Sequence, residues 1–166
     1  MGIRRTILSL ITAALLILTG CQREPKATPE ELFAEYFTVA IPASVELQPG
    51  VAAATLEQQA FRLLDAGNYE QAAILFSELA AVERASGYML YRGMAQLADG
   101  DASAALNSLR QVRPESNEYD LALWHMALAH LQEGKPVVAK GQLQTVIEQS
   151  DDTALRQKAE DLEEKL

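Results

Sequence analysis

Few residues of this 166-residue chain are equipped for chemistry. Cys21 is the only cysteine, so no second thiol among these residues can pair with it. His125 and His130 stand five residues apart, about 140° around a helix, and cannot ligate one metal ion from one face. They read as packing or surface residues. The acids between Glu160 and Glu164 have only Lys158 and Lys165 as basic neighbours and read as a solvated helix face. Serines and threonines are scattered, without the G-x-S-x-G or S-x-x-K spacing of activated nucleophiles. No catalytic site, metal site or cofactor is expected, and the chain does not read as an enzyme.

The surroundings of Cys21 suggest another use for its thiol. Residues 1 to 5 carry Arg4 and Arg5 with no acid, and residues 6 to 18 are apolar except for Thr6, Ser9 and Thr12, the layout of a secretory signal. Gly20 breaks the run and Gln22, Arg23 and Glu24 come directly after Cys21, so it falls short of the about 20 apolar residues that cross a bilayer. The stretch Leu18-Thr19-Gly20-Cys21 resembles the lipobox of bacterial lipoproteins. That resemblance implies that residues 1–20 are a lipoprotein signal peptide, that Cys21 receives a diacylglycerol, and that the mature chain is lipid-anchored in the cell envelope. Gln22 replaces the aspartate that would retain such a protein in the inner membrane, which points to the outer membrane, facing the periplasm.

Loss of Arg4 and Arg5 leaves 12 of the 14 Lys and Arg against all 23 Asp and Glu, a net charge of −11. Such a surface repels phosphate backbones, so no nucleic-acid partner is expected. With Cys21 acylated, stability rests on packing, and the 146 residues from Cys21 to Leu166 suffice for one domain.

Residues 21–30 are polar and contain Pro25 and Pro29, the composition of a flexible tether. Residues 31–52 come next as an aromatic segment. Leu32, Phe33, Tyr36 and Phe37 have helical spacing over about two turns before Pro42 and Pro49 interrupt it. So aromatic a stretch is expected to dock on the part of the chain beyond residue 52. From residue 53 the chain is rich in Ala, Leu, Gln and Glu, and three glycines, Gly67, Gly100 and Gly134, are separated by 33 and 34 residues. The same spacing recurs after each. Small residues lie five on (Ala72, Ala105, Ala139), bulky ones nine on (Phe76, Leu109, Leu143), and others twelve on (Leu79, Val112, Val146), all on one helical face. This predicts helical hairpins: glycine permits a left-handed turn, alanine lets two helices approach, and the bulky residues fill the groove to the next hairpin.

In period and offsets the chain resembles tetratricopeptide repeat (TPR) proteins. The resemblance covers residues 53–152, about three repeats, with residues 153–166 resembling the capping helix that shields the last apolar face. The first-helix signature W-x-x-L-G-x-x-Y is poorly kept: only Gly93 of Arg92-Gly93 survives, against Gln59-Ala60 and Met126-Ala127 elsewhere. The expected fold is all-α, a solenoid of about three TPR-like hairpins with a C-terminal cap.

The resemblance further implies a concave groove lined by each first helix. Carried over by the glycine register, its residues are Glu57, Phe61 and Leu64, then Leu90, Met94 and Leu97, then Leu121, Trp124, Leu128 and Leu131. That lining is strongly apolar, and DLALWHMALAHLQ is apolar on nearly every side, the mark of a helix covered all round. A protein or peptide partner, the segment from Leu32 to Ile41, or a tight curl of neighbouring helices would each cover it. The expected function is a membrane-anchored scaffold, a protein-binding adaptor or assembly factor of the envelope. The alternative is a self-associating structural subunit of an envelope complex.

Overall fold

Eight helices account for most of the described chain: α1 (Pro29–Tyr36), α2 (Leu56–Asp65), α3 (Tyr69–Glu83), α4 (Tyr88–Ala98), α5 (Ala102–Leu109), α6 (Tyr119–Gln132), α7 (Pro136–Gln149) and α8 (Thr153–Lys165). The computed structural model describes residues 26–45, 47, 53 and 55–166, and no strand occurs among them. Residues 1–20, expected to be a signal peptide, and Cys21 lie outside the described residues.

Pairs α2–α3, α4–α5 and α6–α7 form three hairpins, and each turns at its glycine. Gly67, Gly100 and Gly134 have φ of 76°, 89° and 67°, a left-handed geometry that costs a side-chain-bearing residue about 1–2 kcal/mol. One hydrogen-bond pattern closes all three turns. Gly67 N–H donates to Leu64 and Asn68 N–H to Leu63. Gly100 and Asp101 do the same to Leu97 and Gln96, and Gly134 and Lys135 to Leu131 and His130. Each pair satisfies carbonyls that the ending helix leaves without a partner.

The alanines five residues on, Ala72, Ala105 and Ala139, are fully buried, and so are Phe76, Leu109, Leu143 and Val146. Leu79 and Val112 are nearly so. Close approach is tightest in the second hairpin, where a Cβ on Gly93 would lie 2.7 Å from Leu109 Cδ2 and 3.4 Å from the Ala105 carbonyl. Hairpins then stack by interdigitation: Tyr91 of α4 sits 4.8 Å from Phe61 and 5.6 Å from Phe76 between ring centroids, inside the first hairpin's cluster.

The stack is closed at one end by α8, which packs on α7 and reaches α6. Asp152 caps its start by accepting from the N–H groups of Ala154 and Leu155. Leu155, Ala159 and Leu162 are buried in the third hairpin's cluster, and the remaining surface of the helix is polar. At the other terminus α1 starts at Pro29, inside the stretch expected to be a tether. Thr28 and Glu31 form a reciprocal capping box around Pro29 in the first turn. The helix stops at Phe37, whose backbone is extended.

Candidate functional site

Eight of the nine apolar residues expected to line the groove are buried. Phe61 and Leu64 share a cluster with Phe76 and Leu79 of their own hairpin. Leu90, Met94 and Leu97 do so with Ala105 and Leu109. Trp124, Leu128 and Leu131 do so with Leu143 and Val146. The first helices are thus turned so that these positions meet the second helix of the same hairpin. Leu121 stands apart at 40% exposed, one turn into α6. Glu57, the polar member of the set, accepts a hydrogen bond from the Tyr88 hydroxyl at 3.0 Å.

What remains of the inner face is covered by the chain itself. Leu32 of α1 is 1% exposed and sits in the cluster of Trp124, Leu128 and Leu162. Burying a leucine in this way contributes about 1.5–3 kcal/mol. Phe33 and Phe37 stack on each other at 4.9 Å and pack against the clusters of both the second and third hairpins. Tyr36 meets Trp124 edge-on at 6.1 Å, and Phe37 meets His125 at 6.2 Å. Beyond Phe37 the non-helical residues Val39, Ile41, Val45 and Leu47 pack on the first hairpin's cluster, with a turn closed by Val45 N–H on the Pro42 carbonyl. A single strap from Leu32 to Leu47 therefore crosses all three hairpins.

Polar contacts fix the strap to α8. Lys165 Nζ lies 2.8 Å from Glu35 Oε1, donates to the Tyr36 hydroxyl and stands 4.7 Å over the Tyr36 ring. The Tyr36 hydroxyl in turn donates to Asp161. The bond to Glu35 raises the Lys165 pKa, and the bond from Tyr36 lowers that of Asp161. Lys26 Nζ donates to the Leu166 main-chain oxygen at 2.7 Å.

His125 lies beneath the strap. Its Nδ1 donates to the Leu121 carbonyl at 2.7 Å, and burial holds its pKa down to about 4, with Lys158 acting in the same direction. The ring is neutral near pH 7. His130, on another side of α6, meets Glu133 at 3.3 Å. The two histidines do not converge.

A cleft of about 490 Å³ opens where the strap reaches the loops between hairpins. Pro42 and Val45 contribute one wall, and Glu57, Glu83, Tyr88, Tyr91 and Glu118 the others. The Tyr88 hydroxyl is within 3.0 Å of Glu57 and 3.1 Å of Glu83. Burial, then Glu118 and Glu57, push the Tyr91 pKa up to about 12. The glutamates and tyrosines come from the starts of α2, α4 and α6 and the end of α3, and apart from Glu57 sequence reasoning did not single them out. Spacing within one element carries no signal for such a meeting. Among the described residues no three His, Cys, Asp or Glu are grouped to hold a metal ion, and no helix is long and apolar enough to cross a membrane. No protein-family model matches this chain, and no curated protein is similar to it by sequence comparison.

Proposed function

We propose that this chain is a membrane-anchored lipoprotein with a TPR domain, serving as a protein-binding adaptor or assembly factor at the bacterial cell envelope. The observation that carries the repeat reading is the identity of the three turns. Gly67, Gly100 and Gly134 share one left-handed conformation and one hydrogen-bond pattern, and each precedes a buried alanine and a buried bulky residue at the same offsets. Stacks of such units serve binding, because they present a large rigid surface whose outward residues vary without cost to the core. Among the described residues neither histidine is hydrogen-bonded to a serine, threonine or cysteine side chain, His125 meeting the Leu121 carbonyl and His130 meeting Glu133, which favours binding over catalysis.

The strap alters how binding is achieved. A peptide entering the inner face must displace Leu32, Phe33, Tyr36 and Phe37, so the partner is met by the composite surface of strap and repeats. Anchoring rests on Cys21 and the segment before it. Full-length protein expressed in bacteria is expected to incorporate radiolabelled fatty acid, and Cys21→Ser to abolish both labelling and processing. Equal labelling of the two ends the lipoprotein reading. Crosslinking of the lipidated protein in membranes, repeated with strap-face substitutions, then tests the adaptor role. A partner whose crosslinks ignore the composite surface contradicts it.

The self-associating subunit is favoured by one feature. Ile74 and Val82 on α3 and Val137 on α7 are 60%, 72% and 84% exposed, apolar groups on second helices away from the strap. Light scattering of the domain from Lys26 to Leu166 decides between the two. A monomer supports the adaptor, and a defined oligomer supports the subunit.

A further inference from the structure

The chain alternates direction at every connection, which gives the stack two distinct ends. At one end lie the glycine turns. At the other lie the loops 84–87, 110–118 and 150–152. Helix α8 begins at the loop end and finishes at Leu166, beside the glycine turns. The strap enters at that same end: Lys26 bonds the Leu166 oxygen at 2.7 Å, and a Cβ on Gly134 would lie 3.9 Å from Glu30 Oε1. It leaves at the loop end of the first hairpin, where Pro42 and Val45 meet Glu57 and Tyr88. The strap is therefore a diagonal, running from the glycine-turn corner of the third hairpin and α8 to the opposite corner of the first.

The lengths make this consequential. Cys21 is five peptide units from Lys26, and at most about 3.6 Å per unit sets its Cα within about 18 Å of Lys26. Helix α8, with 13 residues, is about 20 Å long. Three steps of about 8–10 Å separate α8 from α6, α4 and α2 in turn. The loop corner of the first hairpin thus stands roughly 30–35 Å from Leu166, beyond the reach of the tether.

We infer that the lipid on Cys21 holds the glycine-turn corner of α8 and the third hairpin next to the bilayer, and that the first hairpin's loop corner points away from it. The inference rests on the proposed lipidation of Cys21. It makes Lys26, Glu35, Tyr36 and Lys165 positioning residues, because their contacts tie the start of the strap to the end of α8 and so fix which corner follows the anchor. The surface offered to partners is then the outward corner, with Glu57, Glu83, Tyr88 and the end of the strap. At this corner Glu133, Glu35 and Glu163 are paired with Lys135, Lys165 and Lys140, so no one-signed patch draws it to lipid heads and the tether sets the approach.

The test uses lipidated full-length protein in phosphatidylcholine vesicles that carry an energy-transfer acceptor on a small fraction of headgroups. With Cys21 acylated, a donor dye reacts only with an introduced thiol. Glu164→Cys marks the near corner, and Val82→Cys, at an exposed site near the loop end of α3, marks the far one. Transfer from position 164 is expected to be severalfold that from position 82. A Gly-Ser insertion of about 20 residues before Lys26 is expected to collapse the difference, since a chain of that length reaches either corner. Vesicle flotation separates the two layers of the inference. If wild type fails to float, or Cys21→Ser floats equally well, the anchoring reading falls and the orientation with it. If flotation depends on Cys21 but transfer from the two positions is equal or reversed, the anchor stands and the orientation is overturned.

Discussion

In the third hairpin α6 is surrounded by helices, α7 within the hairpin, α4 and α5 of the preceding one, α1 across the inner face and α8 at the end of the stack. In the first hairpin α2 meets α3, the ring of Tyr91 and non-helical residues of the strap, Val39, Ile41, Val45 and Leu47. The sequences of the two helices match these settings. Eight of the 14 residues of α6 are buried, from Ala122 to Leu131, whereas α2 buries only Ala60, Phe61 and Leu64 and carries Glu57, Gln58, Gln59 and Arg62 on its other sides. One turn geometry thus supports a sealed unit at one end and a half-open one at the other. Surface composition, not the repeat itself, sets how each is closed.

Truncating the seal is the strongest way to break this contrast. Leu32→Ala removes the one α1 side chain that is wholly buried, and a loss of about 2–5 kcal/mol is expected in chemical denaturation of the domain. A change below about 1 kcal/mol would place α1 outside the cooperative unit. Hydrogen exchange of the same variant sharpens the comparison: protection should fall in α6 and α8 before it falls in α2 and α3.

Acid should act on the same sealed region. His125 binds a proton near pH 6.5 when unfolded and near pH 4 when folded, so the unfolded chain holds more protons between these values. The stabilisation is complete above about pH 6.5 and is lost as pH falls toward 4, with an upper bound of about 3 kcal/mol for this ring. Thermal unfolding of wild type and His125→Asn from about pH 7 to 4 checks it. The variant is expected to lose less stability across that window, and parallel curves would mean that His125 does not drive the loss.

The smallest expected effect tests the repeat register common to both hairpins. Ala105→Leu forces bulk into the contact between α4 and α5 beside Gly93 and should cost about 1–3 kcal/mol. Unchanged thermal unfolding would mean that the spacing from Gly100 does not define the close approach.

What the sequence made legible was local. The left-handed turns at Gly67, Gly100 and Gly134, the buried alanines after them and the all-round cover of α6 each arise from spacing within one element or from one repeated offset. The capping box of Thr28 and Glu31 is also local, but Pro25 and Pro29 make residues 21–30 read as a tether, while proline in a first helical turn is compatible with a helix. The rotation of the first helices was not legible. Positions 61, 94 and 128 have the same spacing whether they face an open groove or their own second helix, and only packing decides. Contacts such as Tyr36 with Asp161, 125 residues apart, or Tyr88 with both Glu57 and Glu83, depend on how separate elements meet and leave no trace in periodicity.

The chain's own strap, not an open groove, occupies the inner face, and everything inferred about partner binding depends on that. Trp124 reports on it directly, being the only tryptophan, 4% exposed and in edge contact with Tyr36. Its emission and its quenching by iodide should be measured in the domain from Lys26 to Leu166 and in the same domain lacking residues 30–42. Blue-shifted, poorly quenched emission is expected in the first, and a red shift with stronger quenching in the second while helical circular dichroism of the repeats is kept. Emission and quenching that stay unchanged in a folded deletion variant would show that something other than the strap covers Trp124.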